Sequence, residues 1–353
     1  MILTSLAIDP KEFEARTGWA IKPQGACKGE ACVPLPANAR RTDGLLDANV
    51  ISERLGMPLI ADAANGIWAL GPESSTTGRA LTTAVAPELV LPDLDGNLFH
   101  LSSLRGKKVV LVTWASWCGC RTDLNLWQDI RAELHAKGIE IVTVALDTDG
   151  EKAARQWIEI AKPEHPSLID QAHVVDELFG VVNVPNGVWI NEEGIIVRPA
   201  EPAWPGRTHV TEWDSTGMTG RHLEMIEQVR QIRFEAAIYY EMIKDWVENG
   251  AQSKYVLSPE EVIRRSHPRS ADTARAAAYF ELGQHLHRND DHAGAVLHWR
   301  EAHRLHPDNW TYKRQAWDIE DPGRQGPTAA YDGDWLADVR KIGAENYYPE
   351  IQK

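Results

Sequence analysis

The chain has 353 residues, 43% of them hydrophobic and 25% charged, with a formal net charge of −14. That length exceeds one average domain, so two or three are expected, and the acidic balance excludes the basic surface that nucleic acid or an anionic membrane requires. The four cysteines are too few for a disulfide-stapled scaffold, but they fall into two close pairs, Cys27 with Cys32 and Cys118 with Cys120. Paired thiols point to redox or soft-metal chemistry.

Residues 1–10 lack a basic leader, a long apolar core and a small-residue cleavage site, so they read as mature protein. No later stretch approaches the roughly 20 apolar residues of a membrane span, and the expected setting is cytoplasmic. Residues 1–85, rich in Gly, Pro and Ala, read as a small irregular region carrying the Cys27/Cys32 pair. Within Cys27-Lys28-Gly29-Glu30-Ala31-Cys32, Lys28 favours thiolate and Glu30 opposes it. Three roles fit that spacing: a dithiol that exchanges with Cys118 or Cys120, half of a thiolate metal site, or a local disulfide. The tract Ser74-Ser75-Thr76-Thr77-Gly78, followed by Thr82-Thr83, has linker chemistry.

Residues 86–200 alternate strands with helices, the signature of an α/β layer. Lys108-Val109-Val110-Leu111-Val112-Thr113-Trp114 is a continuous run of the kind buried on both sheet faces. Leu124, Trp127, Ile130 and Leu134 then place one apolar face on a helix over 122–137 that stops at Gly138. A second buried strand over 139–146, helices near 151–162 and 174–179, and a hairpin turning at Asn191-Glu192-Glu193-Gly194 complete the layer. Cys118 thus falls between a buried strand and a helix start, where the helix dipole favours the nucleophilic thiolate. Arg121 adds positive potential, Trp114 and Trp117 shield the sulfur and offer an apolar face to a partner, and Asp123 is a candidate proton carrier or a first-turn carboxylate.

Residues 201–353 read as all-α. Apolar spacing from Leu223 to Trp246 predicts one helix over 221–248, and Ser258-Pro259-Glu260-Glu261 starts another. Tyr279, Leu282, Gly283, Leu286, Ala295, Trp299, Ala302 and Pro307 fit one tetratricopeptide-like repeat whose core the flanking helices are expected to complete. Its histidines, His285, His287, His292, His298, His303 and His306, spread over several helix faces and read as solvated or capping groups.

The segment from Pro92 to Val197 resembles the thioredoxin-superfamily redoxins of the TlpA/ResA, AhpC/TSA-like type. The resemblance rests on four landmarks in order: Leu91-Pro92-Asp93-Leu94-Asp95-Gly96, Leu101-Ser102-Ser103-Leu104-Arg105-Gly106-Lys107, Trp114-Ala115-Ser116-Trp117-Cys118, and Phe179-Gly180-Val181-Val182-Asn183-Val184-Pro185. It implies a thioredoxin-like fold, a cis Val184-Pro185 bond opposite the cysteines, and a backbone edge there for a substrate chain. Trp117, Val184 and Pro185 are therefore the expected substrate-binding residues. One departure stands out, because the family places two residues between its cysteines and Cys118-Gly119-Cys120 has one. Such a disulfide is tight and easily reduced, so either it closes or another thiol resolves Cys118.

The expected function is a thiol-disulfide oxidoreductase in which Cys118 attacks a disulfide or oxidised sulfur, and Cys120 or the Cys27/Cys32 pair resolves. No cofactor is called for. Its substrates are a thiol- or disulfide-containing protein or a small molecule, with a protein partner on the C-terminal helices. Two alternatives differ in class: a Cu, Zn or Hg thiolate protein using Cys27, Cys32, Cys118 and Cys120, or a repeat scaffold with an inert redoxin domain.

Overall fold

The computed structural model describes residues 1–29, 31–74, 83–266 and 269–352. Glu30 and residues 75–82 of the expected linker lie outside the described residues. The chain divides into two units: Met1–Thr83 with His267–Asp308, and Ala84–Ser266 with Asn309–Lys353. Residues 201–353, expected as one helical domain, are thus shared between both.

In the first unit, strand Ile67–Leu70 sits between Ile2–Leu3 and Leu59–Asp62 in a three-stranded antiparallel sheet. Helices Pro10–Thr17 and Ala48–Leu55 start at Asp9 and Asp47, whose carboxylates accept from the first free backbone N–H groups. Phe13, Trp19, Leu46, Ile51 and Leu70 are buried together as its core. The helix pair Ala271–Arg288 and His292–Leu305 forms as the spacing predicts. A Cβ on Gly283 would lie 2.4 Å from Trp299 Nε1, so the glycine is what lets the indole seat. Its core is completed differently from expectation. The sheet, not a flanking helix, covers Ala271–Arg288. Ala274 and Ala278 keep that helix surface flat, and a Cβ on Gly71 would lie 2.9 Å from the Ala274 carbonyl oxygen and 3.0 Å from the Ala278 Cβ.

The second unit is built on a five-stranded sheet: β1 (Lys108–Trp114), β2 (Ile139–Ala145), β3 (Ser167–Ile169), β4 (Asn186–Ile190) and β5 (Ile196–Pro202). Their spatial order is β3-β2-β1-β4-β5, with β1, β2 and β3 parallel, β4 antiparallel to β1, and β5 antiparallel to β4. Every residue of β1 and β2 is buried, as central strands covered on both faces require. Helices α1 (Leu124–Leu134), α2 (Glu151–Ala161) and α3 (Val174–Phe179) follow β1, β2 and β3. This is the expected α/β thioredoxin-like layer.

The helix expected over 221–248 is broken into α4 (Gly220–Val229) and α5 (Ala236–Asn249). The apolar rhythm continues through the break because Ile232 is buried there, and Phe234 meets Trp204 edge-on and Tyr348 at a tilt. Tertiary packing uses those side chains in a turn. On α5, Trp246 stacks on Trp189 of β4 at 4.8 Å, and Trp189 Nε1 donates to the Tyr239 hydroxyl.

Candidate redox site

Cys118 lies four residues beyond β1, caps the 3-10 turn Gly119–Asp123, and that turn runs directly into α1. The junction aims free backbone N–H groups at the cysteine, and the Cys120 N–H lies 3.3 Å from Cys118 Sγ. Cys118 and Cys120 are joined as a disulfide with Cα atoms 5.2 Å apart. Across from them Val184-Pro185 is cis, and the Val184 carbonyl oxygen lies 3.6 Å from Cys118 Sγ. Arg121 donates through Nη1 to the Cys118 carbonyl, and its guanidinium lies over the rings of Trp157 and Trp213. Burial lowers its pKa, though an arginine stays charged at neutral pH.

This site is covered by the chain itself. Cys118 is 3% exposed and Cys120 7%. A Cβ on Gly119 would lie 2.7 Å from Val210 Cγ2, so Val210 rests directly on the glycine between the cysteines. Trp117, expected to face a partner, is buried, with its Nε1 donating to Gln315 Oε1 at 3.1 Å and Arg314 over its ring at 4.8 Å. Trp114 is 1% exposed. The Val184 edge is occupied too: the Tyr348 hydroxyl donates to the Val184 carbonyl at 2.8 Å, and the Val184 N–H donates to Asn183 Oδ1. Tyr347 hydrogen-bonds Asn183 Oδ1 and accepts from Arg314 Nη1.

A cavity of about 50 Å³ remains beside the disulfide, walled in part by Cys118, Cys120, Asp123, Pro185, Trp204 and Arg314. Asp123 accepts from the Thr208 hydroxyl at 2.6 Å and the His209 N–H at 2.7 Å. Burial pushes its carboxyl up to about 6 despite those two donors. Behind Trp117, burial raises Asp147 to about 7 while Ser116 donates to it through N–H and hydroxyl.

Cys27 and Cys32 form the second disulfide, at directly opposed positions of the hairpin strands Gly25–Lys28 and Ala31–Val33. Cys27 is buried and Cys32 exposed. Lys28 is engaged by Glu73 at 2.7 Å. Each cysteine pair is thus closed within its own unit. Among the described residues no group of three or more His, Cys, Asp or Glu is placed to hold a metal ion.

The sequence singled out Cys118, Cys120, Arg121, Trp117, Val184, Pro185 and Asp123, and the structure gathers all seven in one unit. It missed Val210, Arg314, Gln315, Tyr347 and Tyr348. These come from segments 90 to 230 residues downstream, and no local pattern ties them to the cysteines; the aromatic pair Tyr347-Tyr348 near the end was the one visible sign.

Residues 82–198 match the AhpC/TSA family. The chain is similar to the thiol-disulfide oxidoreductase ResA of Bacillus thuringiensis subsp. konkukian, 28% identical over 115 residues, covering 32% of this chain and 65% of that protein. The ResA of Oceanobacillus iheyensis is 34% identical over 105 residues, covering 30% and 54%, and that of Bacillus subtilis 29% over 135 residues, covering 38% and 72%. Among solved structures, a thiol:disulfide interchange protein from Bacteroides sp. shares 27% identity, over 34% of this chain and 80% of that one, with a TM-score of 0.30. The chain spans 65% of the length of the first of these relatives, and the part that matches the family is residues 82–198. That central segment is thus similar to the thioredoxin-superfamily redoxins of the ResA type.

Proposed function

We propose that the chain is a thiol-disulfide oxidoreductase in which Cys118 is the nucleophile and Cys120 the resolving thiol. The observation that carries this reading is the joined Cys118–Cys120 pair at a strand-to-helix junction, with the Cys120 N–H directed at Cys118 Sγ. In the reduced state that donor favours negative charge on Cys118, which selects it over Cys120 as the attacking thiolate. Asp123, with a carboxyl near the neutral range, shares the cavity wall with both cysteines and is suited to take or return a proton there. Substrates are thiols or disulfides. The Cys27–Cys32 disulfide, open to solvent at Cys32, serves in this reading as a second exchange site. The helix pair with its repeat-like spacing offers a partner surface on which Leu297 is exposed, and the setting is cytoplasmic.

Reduction of a small disulfide, with dithiothreitol as electron source, tests the reading. The Cys118→Ser variant is expected to lose turnover, and retained turnover would refute it. The cover over the cysteines favours one other reading, a redoxin segment that is inert while the helical regions bind partners. That reading requires the unsubstituted chain to show no turnover in the same assay.

A further inference from the structure

The cavity beside Cys118 and Cys120 has chemistry that exchange between the two sulfurs does not use. Trp204 and Trp335, 1% and 3% exposed, both line it, and neither indole N–H finds an acceptor among the described residues. Buried donors are almost always paired, so although Trp19, Trp114 and Trp317 also lack an acceptor among the described residues, two such indoles lining one cavity are suited to an acceptor from outside the chain. Arg314 lines the same cavity. Its hydrogen-bond partners among the described residues are the Gln325 side chain, the Tyr347 hydroxyl and the Trp117 carbonyl, all neutral, and no carboxylate lies within 4 Å of it there. Asp318 feels its charge without bonding it and Asp123 shares the cavity wall, yet a buried guanidinium hydrogen-bonded only by neutral acceptors still favours an anion beside it. The space, about 50 Å³, is that of three to four water molecules and admits one short arm of a molecule.

The same surroundings turn away a polypeptide. An extended chain would pair with the Val184 carbonyl, which Tyr348 already holds, and would have to pass Val210 to reach the sulfurs.

We propose that the direct exchange partner of Cys118–Cys120 is a low-molecular-weight thiol or disulfide bearing a carboxylate, which Arg314 and the indoles of Trp204 and Trp335 seat beside the sulfurs. This rests on the oxidoreductase reading above and names its substrate class. From the reduced state, the Cys118 thiolate attacks one sulfur of R–S–S–R, and the first RS⁻ leaves. The Cys120 thiolate then attacks Cys118 Sγ, the mixed disulfide breaks, and the second RS⁻ leaves. Two electrons pass from the protein dithiol to the small disulfide, and its two thiolates take up the two protons the cysteines release.

The test uses the full chain, reduced and then mixed with dithiodiglycolate (anionic), cystamine (cationic) or insulin at equal disulfide concentration. Mass analysis of the peptide carrying Cys118 and Cys120 follows its oxidation, and each rate is divided by that of the urea-unfolded chain to remove intrinsic reactivity. Dithiodiglycolate is expected to lead the other two by about tenfold, and Arg314→Gln to erase its lead over cystamine. Trp335→Phe, a milder change, is expected to narrow it. Cystamine or insulin matching dithiodiglycolate, or a lead unchanged in both variants, overturns the proposal. Failure of all three to oxidise the pair overturns the oxidoreductase reading and the proposal with it.

Discussion

Asp123 gives a prediction whose size follows from its surroundings. Its carboxyl is raised from 3.8 to about 6 because burial disfavours the charged form more than Thr208 and His209 favour it. The folded state therefore holds a proton over a range in which the unfolded chain has released it, so stability falls as pH rises from about 4 to about 6. Two pH units at about 1.4 kcal/mol each put the loss near 3 kcal/mol, an order-of-magnitude figure. Asp123→Asn keeps the shape and an acceptor for the His209 N–H while removing the titration. Urea unfolding followed by tryptophan fluorescence, run on both proteins from about pH 4 to pH 7.5, isolates the contribution as a difference. The wild-type chain should lose about 3 kcal/mol relative to the variant across that interval. A difference that stays flat, or that grows in the opposite direction, would refute the assignment of a buried, proton-retaining carboxyl at this position.

Other outcomes follow from packing. Gly119→Ala drives a methyl to 2.7 Å from Val210 Cγ2 and should cost about 1–3 kcal/mol in chemical denaturation; Val210→Ala in the same chain should recover part of it. Gly283→Ala meets the Trp299 indole at 2.4 Å, and a similar loss is expected, read as an earlier melting step for the first unit. The Cys27–Cys32 bridge closes a short loop, with a sequence separation of 5, so Cys27→Ser together with Cys32→Ser should lower that unit's stability by about 2 kcal/mol. Calorimetry that finds no change would mean the hairpin is held without its bridge.

The sequence carried the redoxin layer well because its elements are locally encoded. The β-branched run of β1, the apolar face of α1 and the Gly138 stop each announce themselves within a dozen residues, and the family landmarks placed the Val184-Pro185 turn opposite the cysteines. What stayed hidden is non-local. Nothing near Tyr348 says that its hydroxyl ends on Val184, and the apolar rhythm that suggested one helix over 221–248 masks a turn that sends Ile232 and Phe234 to the redox cavity. Likewise, the small residues of Ala271–Arg288 suit a helix neighbour and a sheet equally, and the sheet took the place. Local pattern thus revealed the reacting sulfurs, while their covering depends on contacts across the sequence.

The central claim is that Cys118 attacks and Cys120 resolves. A Cys120→Ser chain treated with a small disulfide should accumulate a mixed disulfide on Cys118, visible as a mass increase on that peptide, whereas Cys118→Ser should leave Cys120 unlabelled. An adduct on Cys120 in the second variant, with none on Cys118 in the first, would contradict the account.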